Sequence, residues 1–142
     1  MLIIYRPSHD LRRELHRFLT ENFGTTYPVG LPNSIEEMKI MIDKHKARRS
    51  HCEITVIFDW KLVNLSEKHL YQNTTQLLAR ELRTNISVHN IIICDETTPY
   101  NLSCIDGTIP YVGNDQKLRE FVTTYIQYDG SLDACFKHIS WL

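Results

Sequence analysis

Glu53-Ile-Thr-Val-Ile-Phe-Asp-Trp-Lys61 is a run of β-branched and aromatic residues that ends abruptly in charge. Ile54, Val56, Phe58 and Trp60 alternate with Glu53, Thr55, Ile57, Asp59 and Lys61. That is the period-two pattern of a strand buried on at least one face. Asp59 and Lys61 share one side of it and are delivered together at its end. What flanks this strand decides the fold.

Downstream, Ser66 is placed to cap a helix whose inner side is Leu70, Thr74, Leu77, Leu78 and Leu82. Ile86 to Cys94 then reads as a second apolar strand, ending in Asp95-Glu96. A strand, a helix and another buried strand form a βαβ unit, and the right-handed crossover rule makes the two strands parallel. Asp59 and Asp95 are therefore expected at the C-terminal edge of one sheet, with Asp106 gathered to the same edge. Such edges are where open α/β sheets take ligands.

Upstream, Leu2 to Tyr5 is a short apolar run closed by Pro7 and suited to a buried strand. Ser8 is an N-cap for a helix carrying Leu11, Leu15, Phe18, Leu19 and Phe23 at helical spacing, stopped by Gly24. Thr25 to Pro32, with two prolines and a glycine, reads as a loop. Ser34 and Glu37 form a capping box for a helix running through Met38, Met41 and Ile42 to Ala47. Near the end, Thr108 to Val112 reads as an edge strand because it contains Pro110. Asn114 is expected to cap a helix bearing Leu118, Phe121, Val122 and Tyr125, and Leu132 to Ile139 suggests a last helical turn or two packing Trp141. The fold class expected is α/β. Residues 1–142 would form a single three-layer domain, with a mostly parallel or mixed sheet of about four strands flanked by helices.

With 142 residues and 42% apolar content, one domain buries about two-thirds of the surface its unfolded chain exposes. Sixteen Lys and Arg against seventeen Asp and Glu give no global field toward nucleic acid or a membrane. The balance shifts along the chain, with nine basic and six acidic residues up to position 51 and seven and eleven after it. No apolar run has secretory or membrane-spanning length, so a soluble, cytoplasmic protein is expected. Cys52, Cys94, Cys104 and Cys135 lack any Cys-x-x-Cys pairing and read as buried thiols. Asn64, Asn73, Asn85 and Asn101 each open an Asn-x-Ser/Thr triplet, a pattern that an Asn- and Thr-rich chain generates freely.

Asp59-Trp60-Lys61 at a strand end resembles the core of the PD-(D/E)xK nucleases. The resemblance implies that Asp59 ligates a divalent metal, Mg2+ or Mn2+, while Lys61 orients the attacking water and steadies charge on the phosphate. Glu14 on the first helix matches the acid that precedes the motif in that family, and Asp95 is a further metal-ligand candidate. The family also carries an acid on a strand just before Asp-x-Lys. Here a basic helix tail takes that place, and its nearest acid is Asp43. The five glycines are dispersed, so there is no phosphate-cradling loop. The seven histidines show neither His-x-x-x-His nor His-Glu-x-x-His spacing.

Lys44-His-Lys-Ala-Arg-Arg49, followed by His51, is the densest basic patch. Cations suit a helix C-terminus on dipole grounds, and no aromatic residues interleave to stack bases. The Arg12, Arg13, His16 and Arg17 face of the first helix reads as solvated. No complete constellation for chemistry can be assembled. The function expected is a non-catalytic binding or regulatory module. It would act on a protein or nucleic-acid partner, through the basic patch of Lys44, Lys46, Arg48, Arg49 and His51 or through the sheet edge near Asp59 and Asp95. The alternative is the metal-dependent nuclease built on Asp59 and Lys61.

Overall fold

In the computed structural model, the structure describes residues 1–6, 8–24, 28–48, 54–59, 77–82, 88–95, 106–110 and 115–139, with the backbone alone at 46–48, 89 and 95. The elements run β1 (Leu2–Tyr5), α1 (His9–Phe23), β2 (Val29–Gly30), α2 (Ile35–Arg48) and β3 (Ile54–Asp59). They continue with α3, described over 77–82, then β4 (Val88–Asp95), β5 (Gly107–Pro110), α4 (Gln116–Gln127) and α5 (Leu132–His138). The strands form a five-stranded sheet in the order β2-β1-β3-β4-β5, and every pairing is parallel.

All six residues of β3 are buried, because helices cover both faces of the sheet. Leu2, Ile4, Ile57, Ile92 and Ile109 pack toward Leu15 and Leu19 of α1, Phe121, Val122 and Tyr125 of α4, and Cys135 of α5. Ile3, Ile54, Val56, Phe58, Ile91 and Ile93 pack the other way, onto Met38 and Ile42 of α2 and Leu78, Ala79 and Leu82 of α3. The strand parity that the sequence shows thus sorts side chains between two separate cores. On the first face, the Thr55 hydroxyl lies 2.6 Å from the Tyr125 hydroxyl and accepts from Asn90 Nδ2 at 3.2 Å, so its burial leaves it bonded.

The fifth strand is β2, where the sequence reads as loop. Two residues suffice there because Leu2 N–H donates to Pro28 O at 3.0 Å and the pairs Leu2–Val29 and Ile3–Gly30 follow. Gly30 allows this approach, since a Cβ would lie 2.9 Å from Met41 Sδ. Ser8 Oγ accepts from Leu11 N–H at 3.4 Å, and Gly24 ends α1 at φ 61°. Ser34 Oγ accepts from Glu37 N–H, but the Glu37 carboxylate reaches one residue further back than a capping box requires, to Asn33 N–H at 3.2 Å.

Two expectations about side chains need correction. Leu77 is 66% exposed, because it shares a helical face with Glu81, while Leu78 and Leu82 point to the sheet. The residue preceding α4 as its N-cap is Asp115 and not Asn114, which lies outside the described residues together with Ser66 and Trp141. Among the described residues no helix is long and apolar enough to cross a membrane.

Candidate functional site

The strand order reverses between β1 and β3. The chain leaves β1 toward β2 on one side and leaves β3 toward β4 on the other. This is the switch point where an open α/β sheet opens a crevice at its C-terminal edge. Parity decides what fills it. Leu2 and Ile4 face the α1 and α4 side, so Arg6, two residues on, does the same. Ile57 faces that side too, and therefore Asp59. Tyr5 pairs with Phe58, which brings Arg6 and Asp59 level at the strand ends.

Arg6 Nε donates to Asp59 Oδ2 at 2.9 Å, with the two side chains 0% and 1% exposed. Arg6 Nη2 donates to Asp115 Oδ1 at 2.8 Å, and Nη1 to Leu11 O at 3.2 Å. Every nitrogen of the guanidinium therefore has a partner, the condition under which a buried charge is tolerated. Burial lowers the basicity of Arg6, but the bonds and charges of Asp115 and Asp59 outweigh it and raise the pKa above the ordinary value. Asp115, 13% exposed in this pair, makes no side-chain capping bond to α4. Arg12 Nη1 donates to Arg6 O at 2.6 Å, tying α1 to the end of β1. An ion pair of the chain occupies the switch point, and a metal at Asp59 would have to displace a bonded guanidinium.

Asp95 ends β4 one residue beyond Cys94, the register partner of Asp59, so the two aspartates do end adjacent parallel strands. The Asp95 side chain and Lys61 lie outside the described residues. Asp106 is not at this edge. It precedes β5 beside Ile91, where its carboxylate accepts from Ile91 N–H at 2.7 Å and its own N–H donates to Ile91 O. Glu14 is exposed on α1. Among the described residues no group of three or more His, Cys, Asp or Glu could hold a metal ion. In the basic patch Lys44 is exposed near the end of α2, while the side chains of Lys46 and Arg48, and Arg49 and His51 entirely, lie outside the described residues.

A second feature lies on α1. His9, Arg12, Arg13, His16 and Arg17 line a groove of about 530 Å³ whose opposite wall includes Leu31 and Asn33. Positions 9, 12, 13, 16 and 17 recur at three- and four-residue spacing and so make one stripe. Beyond Leu31, His16 and Thr20 also border a hollow of about 490 Å³ walled by Leu19, Phe23, Val29 and Ile126.

The chain matches no protein-family model, no curated protein and no solved structure.

Proposed function

We propose that the chain is a non-catalytic binding or regulatory module that acts through a protein partner. The observation supporting this reading is the buried Arg6–Asp59 pair at the switch point. In an open α/β sheet that position takes a cofactor, metal or phosphate, and here an arginine of the chain occupies it. An acid so neutralised is a poor metal ligand, since the ion would have to displace a bonded guanidinium. The surface then carries recognition, and among the described residues a basic stripe runs along α1.

The test sets this against the nuclease that Asp59 and Lys61 would form with Asp95 and Mg2+ or Mn2+. The protein is incubated with single- and double-stranded DNA and RNA in the presence of Mn2+, beside Asp59→Asn. No cleavage, and no rise in melting temperature with Mn2+, is the expected result. Cleavage that Asp59→Asn abolishes would overturn the module reading.

A further inference from the structure

We propose that the α1 groove docks an acidic peptide segment of a protein partner, one whose carboxylates adjoin a bulky apolar residue; this rests on the binding-module reading. Three arginines and two histidines share the stripe, in a chain whose net charge is only −1. Planar guanidinium groups bind carboxylates in paired, directional bonds. Arg12 is held in advance by its bond to Arg6 O, which lowers the ordering cost of binding.

The stripe from position 9 to position 21 spans about 18 Å at the helical rise, the length of roughly five or six extended residues. Glu21 stands at its far end, next in sequence to Thr20, which borders both the groove and the apolar hollow. An incoming chain is thus steered to lay its carboxylates between His9 and Arg17 and its apolar side chain among Leu19, Phe23, Val29 and Ile126. A nucleic-acid strand fits this less well. Its phosphates repeat at every nucleotide, whereas here the positive charge gives way to hydrocarbon, and among the described residues no Phe, Tyr or Trp lines the charged groove to stack a base.

The probe is a fluorescein-labelled synthetic peptide of alternating glutamate and aspartate ending in leucine and phenylalanine, read by fluorescence anisotropy on the full chain. Its controls replace the acids by glutamine and asparagine, or the leucine and phenylalanine by serine. Binding is expected for the acidic probe, weakening with added salt, and about tenfold weaker for either control. Arg13 and Arg17 are both exposed, so Arg13→Glu with Arg17→Glu leaves the core intact, and it is expected to lose about tenfold or more in affinity. Leu31→Ser, between groove and hollow, is expected to weaken the acidic probe without altering the circular dichroism spectrum. Equal binding of the amide control, or undiminished binding by the charge-reversed protein, overturns the proposal. So does tighter binding of a phosphopeptide or a single-stranded RNA at the same residues, which would assign the groove to phosphate. If none of these probes binds, the docking site is refuted, while the module reading falls only to Asp59-dependent cleavage.

Discussion

Arg6 Nε lies 2.9 Å from Asp59 Oδ2 across the junction of β1 and β3, and both side chains are sealed from solvent. The pair joins residues 53 positions apart, and through Asp115 and Leu11 O the same guanidinium also fixes the starts of α4 and α1. One cation therefore ties the ends of β1 and β3 to the starts of α1 and α4 at the point where the strand order reverses.

Removing half of such a pair leaves an uncompensated buried charge, which costs about 3–5 kcal/mol. Arg6→Met, which takes from Asp59 its guanidinium partner, is expected to cost up to about that much in urea unfolding. Arg6→Met combined with Asp59→Leu is expected to recover most of the loss, since the partly exposed Asp115 can turn to water. A double variant no more stable than Arg6→Met would show that the network does more than neutralise itself.

Cys135 is a buried free thiol on α5, and burial pushes its pKa up to about 11. Because the folded value is raised, the unfolded chain ionises first. The stability that the neutral thiol contributes is complete below about pH 9 and is lost as pH rises toward 11. Tyr5, whose pKa is also raised mainly by burial, adds to the loss in the same direction at higher pH. Urea unfolding between pH 8 and pH 11 is expected to show a shallower decline for Cys135→Ala than for the wild type. Parallel declines would remove Cys135 as the cause.

How much of this was legible follows from parity and spacing. Ile54, Val56 and Phe58 against Thr55, Ile57 and Asp59 marked β3, and a helix of adequate length between two apolar runs made β4 parallel to it. β2 was hidden because Val29–Gly30 has no period of its own and is ordered by tertiary pairing with Leu2 and Ile3. The Arg6–Asp59 pair was only half legible. Arg6 keeps the parity of Leu2 and Ile4, and Asp59 that of Ile57, but both strands are apolar at either parity, so only the pairing of β1 with β3 shows that the two parities share a face. Asp115 carried no signal, since its approach to Arg6 depends on where α4 begins in space. The carboxylate grouped with Asp59 on sequence grounds, Asp106, failed because the register sets it beside Ile91, about 10 Å back along the strand.

Leu77 and Leu78 separate packing from composition. Leu78 is buried against α2 and the sheet, whereas Leu77 is 66% exposed beside Glu81, whose carboxylate meets Lys39 at 2.9 Å in a solvated pair. Leu78→Ala is expected to cost about 2–5 kcal/mol by lost burial and an unfilled cavity. Leu77→Ser is expected to stay within about 0.5 kcal/mol of the wild type. Equal losses in thermal or urea unfolding would mean that the helical face assigned to α3 is wrong.

Gly24 and Gly107 test backbone strain apart from crowding. Gly24 closes α1 at φ 61° and ψ −128°, a region that side-chain-bearing residues avoid, and a Cβ built there would have nothing within 4 Å. Any penalty for Gly24→Ala is therefore conformational, and it is expected at about 1–3 kcal/mol. Gly107, at the start of β5, is not at positive φ, and its Cβ would meet only Phe136 Cζ at 3.9 Å, an ordinary contact. Gly107→Ala restricts the unfolded chain without straining the folded one, and is expected to be neutral or to stabilise by up to about 1 kcal/mol. Urea unfolding of both variants checks the contrast, and a harmless Gly24→Ala would show that α1 ends by a route that does not need the positive φ.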